Sequence, residues 1–111
     1  MTFDEALGFA LDLPESTLRE SRDGLVSLRV RDRAFAYCNE GEGVLTLKAL
    51  REEQEALVAS DPEAFGESWG SGRYAWVRVR LRCAFADEVR ELITEAWRHS
   101  APRRLAASLD R

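Results

Sequence analysis

Read by alternation, residues 74–83 put Trp76, Arg78, Arg80 and Arg82 on one face of an extended strand, with Ala75, Val77, Val79, Leu81 and Cys83 on the other. Three arginines in a row beside an indole are the chemistry of phosphate contact and base stacking. If the strand Val44–Lys48 buries Leu45 and Leu47, then Val44, Thr46 and Lys48 share the open face, joined by Arg29 and Arg31 from the run Leu25–Arg31. If their strands are adjacent, Lys48 and Trp76 would set an ammonium beside an indole at ~5 to 8 Å. The same residues also permit a plainer reading. The open face of an antiparallel sheet is polar, its arginines can pair with Glu20 or Glu40, and Trp76 can be a buried ring capped by a lysine stem.

Catalytic schemes are poorly supplied. His99 is the only histidine, and a nucleophile–base pair would have to join it to Cys38 or Cys83, both of which alternate with apolar residues in predicted strands and read as buried small hydrophobes. Trp97 and His99 are two positions apart on a predicted helix, about 200° around it, so Trp97 reads as core and His99 as a solvated residue near the helix C-terminus. Gly66, Gly70 and Gly72 precede a strand rather than a helix and lack a lysine–serine/threonine pair, so no phosphate loop is formed. Glu52, Glu53 and Glu55 sit where a helix begins and suit its dipole better than a metal. Neither a catalytic residue, a metal site nor a cofactor is therefore expected.

The elements that must position these residues follow from local pattern. Thr2-Phe3-Asp4-Glu5 is a capping box, and the apolar stripe Phe3, Ala6, Leu7, Ala10, Leu11 runs on as a helix that Leu13-Pro14 closes. A short extended segment over residues 17–21 precedes an Asp23-Gly24 turn. Strands over 25–31, 34–38 and 44–48 then form a three-stranded meander. Leu50–Ser60 is an amphipathic helix ended near Asp61-Pro62, with Phe65 anchoring its end. A loop over 66–72 carries a short edge strand around Ser68-Trp69, and the strand 74–83 follows. Asp87 caps a third helix with the stripe Val89, Leu92, Ile93, Ala96, Trp97, and Ala101-Pro102 restarts a short terminal helix. The fold class is α+β: a two-layer sandwich with an antiparallel sheet of about five strands packed against helices, in the order α-β-β-β-α-β-β-α.

Composition bounds the rest. The chain has 111 residues, 45% of them hydrophobic, which suffices for one domain over 1–111 and excludes disorder as the main state. Sixteen basic against twenty acidic residues give a net charge of −4, which excludes a uniformly basic surface, yet the charge is uneven. Residues 1–24 hold 2 basic and 6 acidic side chains and residues 49–67 hold 1 and 6, whereas residues 68–86 hold 4 and 0. The acid is on helices and the base on the sheet. With two cysteines, no leader and no long apolar run, the sequence reads as cytoplasmic, with reduced thiols and no membrane partner.

Several strings, in order and at their spacing, carry a family resemblance: Ala10-Leu11-Asp12-Leu13-Pro14; Arg33-Ala34-Phe35-Ala36; Leu45-Thr46-Leu47-Lys48 before a Glu-rich helix; Tyr74-Ala75-Trp76-Val77; and Ala96-Trp97 leading to Ala101-Pro102-Arg103-Arg104-Leu105. Over essentially its whole length the chain resembles the MmcQ/YjbR family of small bacterial proteins. That resemblance implies a two-layer antiparallel fold like that of secretion chaperones, often labelled DNA-binding through a double-wing arrangement. The expectation is a non-enzymatic binding module that takes nucleic acid on its basic sheet face. The alternative is a protein–protein or chaperone-like module, and a symmetric homodimer through the edge strand beside Trp69 or through the sheet is a further hypothesis.

Overall fold

A computed structural model of the chain describes residues 1–109. The first helix, α1 (Phe3–Leu11), starts on the expected capping box: Thr2 Oγ1 accepts from the Glu5 amide at 3.1 Å, and the Glu5 carboxylate accepts from the Thr2 amide at 2.9 Å. Ala6 and Ala10 on its inner face are fully buried. The small side chains let the helix backbone lie close to its neighbours.

Six strands follow, one more than the alternation predicts: β1 (Ser16–Glu20), β2 (Val26–Val30), β3 (Arg33–Asn39), β4 (Val44–Leu50), β5 (Phe65–Ser71) and β6 (Tyr74–Arg80). They form one antiparallel sheet in the order β1-β2-β3-β4-β6-β5. The short extended segment of the sequence reading is β1, a complete edge strand paired with β2 from Ser16↔Val30 to Glu20↔Val26. Four of its five side chains are exposed, so it carries no apolar alternation to announce itself. A two-residue turn joins β2 to β3, with Arg31 at φ 48° and Asp32 at φ 67°. This left-handed pair matches the twist of the flanking strands. It also places Arg31 in the turn rather than on the sheet face.

Between β4 and β5 lies α2 (Arg51–Ser60), and after β6 come α3 (Ala86–Ser100) and α4 (Arg103–Ser108). On α2 the packed residues are Leu57, Val58 and the buried amide Gln54, whereas Ala56 and Ala59 are exposed. Helix α3 begins two residues earlier than predicted. Phe85 occupies the N-cap without a side-chain hydrogen bond, while Asp87 and Glu88 sit in the first turn, where the helix dipole favours them.

Register carries the core across the sheet. Leu28, Ala36, Leu47 and Val77 form one row over four strands, and Val26, Cys38, Leu45, Val79 and Phe65 form a second over five. Against these rows α3 packs Val89, Ile93, Ala96 and Trp97, all fully buried, so the architecture is the expected two-layer α+β arrangement. One expected strand is shortened. β6 ends at Arg80, and Leu81–Cys83 forms a single 3-10 turn. Its start is fixed by the Leu81 amide, which donates to the Gly43 carbonyl at 3.0 Å, and Leu81 is buried.

Candidate functional site

The row Ser27, Tyr37, Thr46, Arg78, Gly66 crosses the opposite face, and Lys48 stands directly across from Trp76, as the sequence reading required. The centre of this face is aromatic. Trp76 lies 5.1 Å from the Tyr37 ring and 4.7 Å from Trp69, with which it is stacked at 17°. Tyr37 and Trp69 approach to 5.5 Å. Trp76 is only 9% exposed, whereas Trp69 is 51% exposed. The accessible indole is therefore Trp69, and Trp76 is the ring it rests on.

A bulge explains how Trp69 reaches this position. β5 and β6 pair regularly to Glu67↔Val77 and resume at Gly70↔Ala75, so that Ser68 and Trp69 together oppose Trp76. The bulge disturbs the ladder, and the buried Gln54 amide reaches from α2 to compensate, donating to the Trp76 carbonyl at 2.7 Å and the Ser68 carbonyl at 3.4 Å. Arg51 fixes the following turn by donating from Nε and Nη2 to the Gly72 carbonyl at 3.1 and 3.0 Å. A Cβ at Gly70 would meet the Arg51 guanidinium at 2.8 Å, so a larger residue there would displace that side chain from the Gly72 carbonyl. The short edge strand expected around Ser68-Trp69 is part of β5, but its Trp69 is not among the expected site residues. The signal was available only as Gly66, Gly70 and Gly72 around a lone tryptophan, a pattern of bulge and turn residues.

The predicted basic residues are dispersed. Arg78 flanks the aromatic cluster and pairs with Glu42 at 3.3 Å, an exposed contact of the kind that contributes roughly 0–1 kcal/mol. Arg80 is turned to the backbone, donating to the Glu63 carbonyl at 2.9 Å and the Pro62 carbonyl at 3.4 Å. Arg29 donates to Ser27 Oγ at 3.0 Å and to the Asp32 carbonyl at 3.1 Å. Arg31 makes a bidentate pair with Glu15 at 2.6 and 2.9 Å, which holds the Glu15 carboxyl below its ordinary range. Arg82 is exposed in the 3-10 turn beyond the strand. The acidic partners differ from the Glu20 and Glu40 that the sequence suggested, because partners are set by turns and chain crossings rather than by distance along the chain.

Lys48 faces Trp76 in register, but its ammonium bends elsewhere. It lies 4.5 Å from the Tyr74 ring and 3.5 Å from Ser100 Oγ, whose own proton goes to the Ala34 carbonyl at 3.2 Å. Burial pushes the Lys48 pKa down, helped by the Arg33 charge and opposed by Tyr74. His99, expected to be solvated, is half-buried with its ring 5.4 Å from Tyr74, and its Nε2 is buried without a hydrogen-bond partner among the described residues. Desolvation lowers its pKa first; Glu95 raises it, and Lys48 and Arg73 lower it further.

Next to the aromatic cluster is an open groove of about 860 Å³, whose walls include Asp23, Leu25, Tyr37, Asn39, Glu40 and Trp69. Among the described residues no group of three or more histidine, cysteine or carboxylate side chains is placed to hold a metal ion, and no helix is long and apolar enough to cross a membrane. The cysteines separate. Cys38 is half-buried in β3 and burial alone pushes its thiol up to about 11, while Cys83, expected to be buried at the end of a strand, is exposed at the end of the 3-10 turn. Alkylation near neutral pH should therefore label Cys83 and spare Cys38, because the reacting species is the thiolate. Labelling of Cys38 should grow only as pH climbs toward 11. Mass spectrometry after a timed iodoacetamide pulse reads the order, and equal rates at pH 7.5 would contradict it.

Residues 11–99 match the family model described as YjbR. Among solved structures, the fold is similar to the crystal structure of Deinococcus radiodurans protein DR2400, described by the family-model domain DUF419, at a TM-score of 0.77 and 22% identity. The match covers 88% of this chain and 77% of that one. No curated protein matches in sequence.

Proposed function

The chain belongs to the YjbR family, and we propose that it acts there as a non-enzymatic binding module that takes unpaired nucleic acid on the open face of its sheet. One observation carries this reading: Trp69, half-exposed, is stacked on a buried Trp76 and braced by Tyr37. A pre-stacked indole offers a flat apolar surface at little ordering cost, and every base has a face to lay on it. Arg78, on the same face and paired with the exposed Glu42, offers a guanidinium that a phosphate can claim. The other face arginines are committed to backbone or turn contacts, so stacking rather than charge supplies most of the affinity. Single strands should then be preferred to duplex, whose bases are already stacked.

Titrating Trp fluorescence with oligothymidylate and with a duplex of equal length, at 50 and 200 mM salt, tests the proposal. Quenching by the single strand with a shallow salt slope is expected. Trp69→Ala should weaken binding about 5- to 150-fold, the equivalent of ~1–3 kcal/mol per stacked base. Single-strand binding no tighter than ~10⁻⁴ M at physiological salt, or unaffected by Trp69→Ala, defeats it.

A protein partner is the second reading, and the groove beside Trp69 favours it specifically. Asp23 and Glu40 on the groove wall repel phosphate and suit a segment carrying basic side chains. Saturable binding of a lysine-containing model peptide that competes with oligothymidylate, and is lost on Glu40→Gln, would move the assignment to that class.

A further inference from the structure

Three cationic or protonatable side chains converge on a single ring at one end of the sheet. The Lys48 ammonium is 4.5 Å from the Tyr74 ring centre, the Arg73 guanidinium carbon 5.1 Å and the His99 ring 5.4 Å. Arg73 also donates to the Tyr74 hydroxyl at 3.2 Å. They come from separate elements: β4, the β5–β6 turn and the C-terminal end of α3. The turn is pinned by Arg51, both through the Gly72 carbonyl and through the Arg51 amide, which donates to the Arg73 carbonyl at 3.0 Å.

Most other cations on the sheet and the longer helices have partners, while Arg22, Arg82, Arg103 and Arg104 are exposed to solvent. Arg19, Arg31, Arg78, Arg90 and Arg98 each face a carboxylate, and Arg29, Arg51 and Arg80 donate to backbone carbonyls. Among the described residues, no carboxylate comes within ion-pair distance of Lys48, Arg73 or Arg33. Supply is not the reason, since the chain has 20 acidic side chains against 16 basic ones. The nearest acid acting on His99 is Glu95, which is itself engaged by Arg98 at 3.4 Å. Partly buried Lys48 also loses hydration without gaining a counterion.

We propose that the Lys48, Arg73 and Tyr74 end of the sheet is a binding site for a dianionic phosphoryl group, with the anion held between the ammonium and the guanidinium. Two full positive charges, with Arg33 acting at longer range, match a dianion better than a carboxylate. Oxygens on a tetrahedral group can accept from the ammonium, the guanidinium and the Tyr74 hydroxyl together. His99 is the reporter: an anion beside it offsets the Lys48 and Arg73 charges and raises the imidazole pKa toward its ordinary value. The site does not depend on the Trp69 platform, and the two proposals fail separately.

The test is an NMR titration of the His99 and Tyr74 ring signals with inorganic phosphate replacing chloride at constant ionic strength and pH. A saturable shift with half-saturation at about 1 mM or tighter is expected, together with a rise in the His99 pKa. Arg73→Gln, in an exposed turn, and Lys48→Met should each weaken binding by about tenfold or more, while Trp69→Ala should leave it unchanged. A 5′-phosphorylated dinucleotide binding more tightly than inorganic phosphate would place the phosphoryl group at a nucleic-acid end, and the reverse would place it on a small ligand. Ring signals that respond to phosphate no more than to chloride overturn the site. Acetate or dimethyl phosphate binding as tightly as phosphate overturns the dianion assignment.

Discussion

Trp97→Ala is expected to destabilise the protein by about 4–6 kcal/mol, a large share of the stability of a small domain. The indole is fully buried on α3 among the core residues that face β3 and β4. Truncating such a ring costs ~3–5 kcal/mol through lost transfer energy and an unfilled cavity. A second loss adds to it. Trp97 Nε1 donates to the Pro14 carbonyl at 3.0 Å, a contact spanning 83 positions that ties α3 to the connection between α1 and β1. Removing the donor strips the Pro14 carbonyl of this contact, at about 1 kcal/mol. Since domains of this size are stable by roughly 5–15 kcal/mol, the variant loses about a third or more of its stability across most of that range. Trp97→Phe, which keeps most of the volume and loses the donor, should cost about 1–3 kcal/mol. Urea unfolding followed by far-UV circular dichroism measures both, and a loss below about 1 kcal/mol for the alanine variant would show that the helix is not anchored as described.

Trp97 also shows what kind of information the sequence carried openly. Its place follows from helical periodicity with Val89, Ile93 and Ala96, and the shared face of Lys48 and Trp76 follows from two strands with clean alternation, while their pairing is set by the sheet register. Both are local patterns tied to burial on one face. What escaped was set by contacts between distant parts of the chain or by local conformation without burial. β1 is an edge strand with four exposed side chains, so pattern reading left it as a short extended segment. Arg31 leaves the face because a left-handed turn begins one residue before the alternation breaks. Arg82 and Cys83 leave it because β6 ends at Arg80 and the chain coils into a 3-10 turn over Leu81–Cys83. Trp69 enters it through a bulge whose carbonyls are satisfied by Gln54, fourteen residues from Ser68 and twenty-two from Trp76. Lys48 shows the limit within a correct register: alternation fixes where its Cβ starts, but four methylenes let the charge finish against Tyr74.

The two stacked indoles should separate by function when each is truncated. Trp76→Ala removes a ring that is 9% exposed and touches Trp69, Tyr37 and the strand across from it. It should cost ~3–5 kcal/mol, as for other buried aromatics. Trp69 is half-exposed, and its truncation forfeits chiefly the stacking contact, so Trp69→Ala should cost no more than about 1.5 kcal/mol. Their coupling, read from the double variant, should be about 0.5–1.5 kcal/mol, because each ring loses the same contact when the other is removed. Ligand binding should follow the opposite order per unit of stability lost. Trp69→Ala abolishes stacking in a protein that still melts cooperatively, whereas Trp76→Ala weakens binding only by unseating Trp69 and damaging the fold. Thermal and urea unfolding of both single variants and the double variant, beside fluorescence titrations with oligothymidylate, resolve the two roles. Strict additivity of the stability changes would mean that the rings do not support one another. A Trp76→Ala variant as stable as wild type would place Trp76, and not Trp69, at the accessible surface of the site.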